Sequence, residues 1–148
     1  MLEIQELNKR PNIEQNIKLK RVFIQFEKLI FELKTKEIPE EIVKFINNNI
    51  EEINSFSTSD KELKKQIKKT QTRILKLIEK ELHLVTKNHY RNTWFILGML
   101  IGVALGSANT SLLAVGIPLG FTIGIAIGTS KDKKAKDNGL QLDIEIKN

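Results

Sequence analysis

The sequence has no cysteine in its 148 residues and no charged side chain from Asn92 through Ser130. Without cysteine, the chain can form neither disulfides nor thiolate metal sites. The first ten residues, MLEIQELNKR, also lack the basic-then-apolar order of a secretory signal peptide. We therefore expect the uncharged stretch to serve as the chain's own membrane signal.

Groups that would carry out catalysis or bind a cofactor are missing as well. His83 and His89 are the only two histidines, and their spacing does not place them on one helical face. No acidic pair accompanies them, as a metal site would require. The segment Gly124–Ser130 is similar to a phosphate-binding loop, but Thr129 stands where that loop requires lysine. We therefore expect no enzyme, no catalytic residue, no metal and no cofactor.

Glycine is scarce, with eight residues, but seven of them follow two ladders with a strict four-residue step. This step keeps the glycines near one face of a helix. In water each glycine would weaken a helix by about 1 kcal/mol relative to alanine, whereas in a bilayer the same spacing lets two helix backbones approach closely. The first ladder is Gly98, Gly102 and Gly106, and the second ladder is Gly116, Gly120, Gly124 and Gly128.

Two apolar runs, at about residues 93–108 and 112–130, flank the polar sequence Asn109-Thr110-Ser111. One helix over both runs would be about 55 Å long, too long for a hydrocarbon core of about 30 Å. The sequence therefore predicts two transmembrane helices with a turn at 109–111. Isoleucine alternates with glycine or alanine over 123–128, which also fits a strand, but an open strand hairpin would leave unpaired backbone groups in lipid.

Basic residues flank the predicted hairpin and are absent from its turn. By the positive-inside rule, both termini lie in the cytoplasm. Tyr90 and Trp94 are suited to anchor the hairpin at the membrane interface. No acidic residue lies inside the hairpin, which argues against a proton- or ion-translocating rotor subunit. The flanking basic residues are Lys87, Arg91, Lys131, Lys133, Lys134 and Lys136.

Residues 1–91 are predicted to form a cytoplasmic helical module. Residues 1–12 form a mobile or loosely helical lead-in, and helices follow at about 12–36, about 39–54, and from Ser59 onward. Apolar residues recur at three- and four-residue spacing in each helix. The expected buried positions are Leu19, Val22, Phe23, Phe26, Leu29, Ile30 and Leu33, then Ile42, Phe45, Ile46, Ile50 and Ile53, and then Leu63, Ile67, Ile74, Ile78, Leu82 and Val85.

The third helix has two further predicted features. Ser59 with Glu62 fits a capping box. No proline or glycine occurs from Ser59 to Leu97, so the helix is expected to continue into the membrane, with a kink near Asn88–Asn92. Such a helix could transmit a cytoplasmic event to the hairpin.

The third helix also carries a basic face. It fits a solvated amphipathic surface or contact with anionic lipid headgroups, which attract basic residues near a membrane by about 1 kcal/mol each. Nucleic-acid binding is disfavoured because aromatic residues are not interleaved with the charges. The basic face consists of Lys61, Lys64, Lys65, Lys68, Lys69, Arg73 and Lys76.

The segment 140–147, LQLDIEIK, alternates apolar and polar residues, which is the period of a strand. Two interpretations stay open. The segment is a disordered tail, or it is a strand that adds to the sheet edge of a protein partner.

The region from about residue 80 to 148 resembles uncharacterised small bacterial membrane proteins of the glycine-zipper type. The similarity rests on KNHYRNTWFILG before the hairpin, the repeated GxxxG pattern within it and the KDKKAK run after it. The resemblance implies membrane helix packing and no particular activity.

Together these patterns predict an all-α protein. An N-terminal cytoplasmic helical hairpin or three-helix module (1–91) precedes a two-helix transmembrane glycine-zipper hairpin (92–130) and a charged cytoplasmic tail (131–148). We expect a non-enzymatic protein of the bacterial inner membrane that binds the bilayer and forms a homo-oligomer, a self-associating anchor or scaffold held by GxxxG packing. The alternatives are a pore-forming or membrane-permeabilising oligomer and a membrane-tethered ligand-sensing domain.

Overall fold

The computed structural model describes residues 2–10, 13–57, 59–107 and 110–147, with only the backbone described for 110–112. The described chain is mostly helical and has almost no sheet, which confirms the predicted all-α class. It divides into a first unit, Met1–His83, and a second unit, Leu84–Asn148, whereas the sequence placed this boundary at 91. The helices are α1 (Ile17–Lys34), α2 (Glu40–Asn54), α3 (Asp60–Leu82), α4 (His89–Gly106) and α5 (Thr110–Asp137), and the strands are β1 (Val85–Thr86) and β2 (Gln141–Leu142).

The first unit packs α1 and α2 against α3. Asn16 begins α1, and its side-chain oxygen accepts the backbone N–H of Leu19 at 3.1 Å. All seven apolar positions predicted for α1 are buried. In α3, the four predicted positions from Leu63 to Ile78 are buried, whereas Leu82 is only partly buried. Val85 is buried too, but it belongs to β1.

The prediction is wrong for one core residue of α2. Phe45 is 37% exposed, while Val43 and Asn47, on the other side of the predicted stripe, are buried. The reason is the lead-in, which is extended rather than helical and buries Ile4 and Leu7. Because it pairs with the side of α2 that carries Asn47, the buried face of α2 is turned away from Phe45.

Two asparagines of α2 hold the extended lead-in as a neighbouring strand would. The Asn47 side chain accepts the N–H of Gln5 at 2.8 Å and donates to the carbonyl of Glu3 at 2.9 Å. Two turns later, Asn54 accepts the N–H of Asn8 at 2.8 Å and donates to the carbonyl of Glu6 at 3.1 Å. Two helical turns and three extended residues both measure about 10 Å, so the two spacings match.

Replacing Asn47 by alanine should release the lead-in and lower the stability of the first unit by about 1–2 kcal/mol, because two backbone groups lose their partners. Asn48→Ala is the matched control, since Asn48 is exposed one position away and alanine raises helix propensity equally at both sites. Urea denaturation of the full chain in detergent measures the loss of stability, and hydrogen exchange at the Gln5 amide measures the release of the lead-in. Equal midpoints and equal exchange rates would show that the lead-in does not depend on this pair.

Arg10 completes the first unit by closing the end of α2. Its guanidinium donates to the carbonyls of Ile53 at 2.8 Å and Phe56 at 2.6 Å. Carbonyls at a helix C-terminus have no partner within the helix, and a basic side chain there satisfies them.

The predicted continuous helix from α3 into α4 is wrong. His83 ends α3 with φ 57°, and its N–H bonds back to the carbonyls of Ile78 and Glu79. Asn88 precedes α4 with φ 59°. Neither glycine nor proline is needed at these breaks, because asparagine and histidine enter the left-handed region more readily than most residues. Between them lies β1, whose partner β2 follows the hairpin.

The capping box predicted for α3 is also not formed. Ser59 occupies the N-cap position, but its side chain makes no capping hydrogen bond. Asp60 and Glu62 still lie in the first turn of α3, where a negative charge favours the helix dipole.

The second unit is a helical hairpin closed by two short parallel strands. Val85 pairs with Gln141 and Thr86 with Leu142, so the whole α4–α5 hairpin forms the crossover. α5 passes through Pro118 without a break and ends at Asp137 rather than at the predicted residue 130. Asn109 of the predicted turn lies outside the described residues, and Thr110 already begins α5.

Candidate functional site: the α4–α5 hairpin

The two glycine ladders face each other within one chain. A Cβ atom on Gly98 would fall closer than 3.0 Å to the carbonyl oxygen of Gly120, and one on Gly120 would fall equally close to that of Gly98. Gly102 meets the backbone of Gly116 in the same way. One turn before the last glycine of the second ladder, Gly124 lies against the backbone of Trp94. Bare glycine backbones therefore let α4 and α5 pack closely.

The ends of the ladders are less uniform. Gly128 lies against the backbone of Tyr90 and Arg91, whereas a Cβ on Gly106 would meet the side chain and Cα of Leu113. The contact at Gly116 is looser, since its Cβ would lie 3.0 Å from the carbonyl oxygen of Gly102. Every glycine of both ladders thus has its neighbour within the same chain, on the other helix of the hairpin.

The distribution of buried and exposed residues in the hairpin is the opposite of that in a soluble protein. Glycines are buried at the centre of α4, while its large apolar side chains point outward. Leu105 is 64% exposed and Ile123 is 58% exposed. Monomeric soluble proteins rarely expose an apolar patch of this extent. The other exposed large apolar residues are Phe95, Ile96, Leu97, Leu100, Ile101, Val103, Val115, Leu119 and Ile125.

Among the described residues, one helical segment, Leu113–Asp137, is long and apolar enough to cross a membrane by length and composition. Only 11% of its apolar window is buried, whereas the central helix of a soluble protein would be mostly buried. α4 is shorter, and its first turn is occupied by the polar residues His89 to Asn92.

A carboxylate that the sequence did not single out joins the two helices at their charged end. Asp132 of α5 is 8% exposed and accepts the backbone N–H groups of Tyr90 at 3.0 Å and Arg91 at 2.9 Å. These are the second and third residues of α4, whose own N-cap residue, Asn88, makes no side-chain cap bond. Asp132 therefore caps α4 from the neighbouring helix. Its place four residues after Gly128 was the only sequence signal.

The two predicted interface anchors lie at the same end of the hairpin. The ammonium group of Lys131 lies 5.7 Å from the ring centroid of Tyr90 and 5.2 Å from that of Trp94. Further along, the rings of Phe95 and Phe121 stack at 4.7 Å. Aromatic rings beside a lysine at the end of an apolar helix suit a membrane interface.

Within the tail segment 140–147 only Gln141–Leu142 forms a strand, and it pairs with β1 of the same chain. Beyond the β1–β2 pairing, Glu145 accepts from the Asn88 amide at 3.0 Å and lies 3.9 Å from Arg91. Lys87 forms an ion pair with Asp143. The hydrogen bond from Lys87 holds the pKa of the Asp143 carboxyl below its ordinary value. The tail thus ties β2 to the start of α4.

The basic face of α3 belongs to the first unit and lies away from the buried side of that helix. Lys61, Lys65, Lys69, Arg73 and Lys76 are exposed, while Lys64 and Lys68 are half-buried. Arg73 lies 3.9 Å from Glu52 of α2. No acidic residue occurs between Glu62 and Glu79, so the charge along this part of α3 is of one sign.

Among the described residues, no group of three or more histidine, cysteine, aspartate or glutamate side chains could hold a metal ion. The residues that the structure brings together are the glycine ladders, the interface anchors and Asp132. Comparisons with protein-family models, with curated proteins and with solved structures found no match to this chain.

Proposed function

We propose that the protein is a non-enzymatic membrane protein whose α4–α5 hairpin crosses the bilayer twice and anchors the first unit at its surface. The inverted surface of the hairpin carries this proposal. Glycine backbone lies inside, and leucine, isoleucine, valine and phenylalanine point outward. In water such a surface is unfavourable by about 25 cal/mol per Å² of exposed apolar area, and in lipid this penalty is absent.

The strand pairing supports two crossings rather than one. β1 precedes α4 and β2 follows α5, and the strands pair directly. If α5 crossed the bilayer alone, the two strands would lie on opposite sides and could not pair. The apolar parts of the helices, Trp94–Gly106 and Leu113–Ser130, measure about 20 and 27 Å. A hydrocarbon core of about 30 Å can thin locally around such short spans at modest cost.

The hairpin has one charged end. Arg91 lies beside Gly128, and Asp132 reaches the first turn of α4, so the basic residues before and after the hairpin meet at that end. Because lysine and arginine are retained on the cytoplasmic side, this end and both termini face the cytoplasm.

The glycine ladders are not proposed to join two copies of the chain. Both ladders are occupied by contacts within the chain, so the same close glycine contact is not left to join two copies. An oligomer would have to form through the outer apolar side chains. We therefore propose that the glycine ladders hold α4 against α5 within one chain.

Single-cysteine variants test the two crossings and the orientation together, because the chain has no cysteine of its own. Ser107→Cys, at the end of α4, should react with a membrane-impermeant maleimide on intact bacterial cells. Lys80→Cys, at an exposed position before α4, and Lys133→Cys, at the charged end of the hairpin, should both react only in inverted membrane vesicles. Labelling of these two variants from opposite sides would contradict the two-span hairpin, and reversed labelling of all three variants would contradict the orientation.

A further inference from the structure

The outer face of α1 carries large apolar side chains that are left exposed by the described residues of the first unit. Ile17 is 74% exposed, Ile24 is 39% exposed and Phe31 is 68% exposed. Their seven-residue spacing keeps them on one side of the helix. The seven buried residues of α1 lie on the opposite side, so these three are not part of the core.

Basic side chains alternate with these apolar ones. Arg21 and Lys28 are exposed and fall between Ile17, Ile24 and Phe31 at four- and three-residue steps, which places them on the same face. This composition, with exposed aliphatic and aromatic groups beside lysine and arginine, is typical of helices that lie in a membrane interface.

α3 adds charge from the neighbouring helix. α1 and α3 pack against each other, and the Gln25 amide donates to the Gln71 oxygen at 3.2 Å. The exposed lysines of α3 are Lys61, Lys65, Lys69, Lys76 and Lys80. Two adjacent helices of the first unit therefore present basic outer faces, one of which also carries apolar side chains.

The connection between the units is short. α3 ends at Leu82 and α4 begins at His89, and these seven steps span at most about 25 Å even when fully extended. If the hairpin is in the bilayer, the first unit must lie close to the membrane surface. The local concentration of headgroups around α1 and α3 is then high.

We infer that the outer face of α1, supported by the exposed lysines of α3, rests on the anionic headgroups of the bilayer that holds the hairpin. This inference rests on the proposed membrane anchoring. Ile17, Ile24 and Phe31 enter the headgroup region while the basic side chains contact lipid phosphates. A nucleic acid would match the charge alone and would leave the exposed aliphatic groups without a partner.

Tryptophan reporters test this surface in the full chain. Trp94 is the only tryptophan, so Phe31→Trp in a Trp94→Phe background places a single reporter on α1. Phe45→Trp in the same background is the matched control, because Phe45 is an exposed phenylalanine on α2. Both variants are reconstituted into vesicles of phosphatidylcholine with brominated acyl chains, with and without phosphatidylglycerol.

We expect bromine quenching of the Phe31→Trp reporter with phosphatidylglycerol present, and none of the Phe45→Trp reporter. Quenching should weaken at high salt, which screens the headgroups. Replacing Lys65, Lys69 and Lys76 by glutamine should weaken surface association by about fivefold per lysine, from about 1 kcal/mol each.

The native Trp94 separates this inference from the proposed function. Quenched Trp94 with equal quenching of the two reporters, or with quenching independent of phosphatidylglycerol, would overturn the inference and leave the anchor intact. Unquenched Trp94 in the unmodified chain would overturn the membrane anchor, and the surface contact with it.

Discussion

Gly120→Ala should destabilise the α4–α5 hairpin by about 1–3 kcal/mol, the usual range for overpacking a close contact. The new methyl group would fall closer than 3.0 Å to the carbonyl oxygen of Gly98. That oxygen belongs to the helix backbone, so it cannot rotate away as a side chain would. The two helices must separate, and the neighbouring contact of Gly102 weakens with them. Sodium dodecyl sulfate titration of the protein in mixed micelles, followed by Trp94 fluorescence, measures the loss.

Gly116→Ala is the matched control for this prediction. Gly116 lies one turn earlier on the same helix, and its Cβ would meet the carbonyl oxygen of Gly102 at 3.0 Å, with its next neighbours at 3.8 Å or more. Alanine improves helix propensity equally at both positions, so the difference between the variants isolates the packing between α4 and α5. Equal unfolding midpoints for the two variants would contradict the glycine contact described here.

A double variant sharpens the result. Gly98 and Gly120 each approach the other's carbonyl oxygen. Once one alanine has separated the helices, the second should add less than its own single effect. Residues in direct contact couple by about 0.5–3 kcal/mol in such cycles. Purely additive effects would show that the two glycines do not share one contact.

Asp132→Ala should lower the stability of the second unit by about 1–2 kcal/mol, because the Tyr90 and Arg91 N–H groups lose a buried acceptor. A carboxylate at a helix N-terminus is also favoured by the helix dipole. Asp137→Ala controls for charge on the same helix, since Asp137 is exposed at the end of α5. Hydrogen exchange at the Tyr90 and Arg91 amides, together with the detergent titration, measures the effect.

The two aspartate variants should separate clearly. Asp132→Ala should speed exchange at both amides, while Asp137→Ala should leave them protected. If both variants behave alike, Asp132 contributes only charge to this end of the hairpin and does not cap α4.

The features that could be predicted from the sequence are those that depend on a short repeat. The four-residue glycine step located the hairpin, and the three–four spacing located the buried residues of α1. Features that join distant segments were not visible. Asp132 and Tyr90 are 42 positions apart, and nothing near either residue indicates the other. For the same reason the sequence did not predict β1, because β2, the strand with which it pairs, follows both helices of the hairpin.

Asn47 and Phe45 illustrate a second limit. By helix propensity alone, the consecutive asparagines Asn47 to Asn49 only weaken α2, because helix propensity treats each side chain in isolation. Asn47 is instead a hydrogen-bonding partner for the extended lead-in. That contact decides which side of α2 is buried, and so it exposes Phe45. No rule based on spacing alone could have assigned either residue.

The strand pairing implies an order of events during synthesis. α4 and α5 are joined through residues 107–109 alone, so the entropy lost on bringing them together is small and the hairpin should form early. β2 leaves the ribosome only after β1 and both helices, so the two strands can pair only once the hairpin has been synthesised. If the hairpin crosses the bilayer twice as proposed, a chain inserted with only one crossing would place β1 and β2 on opposite sides of the membrane and leave both strands unpaired, with exposed backbone edges.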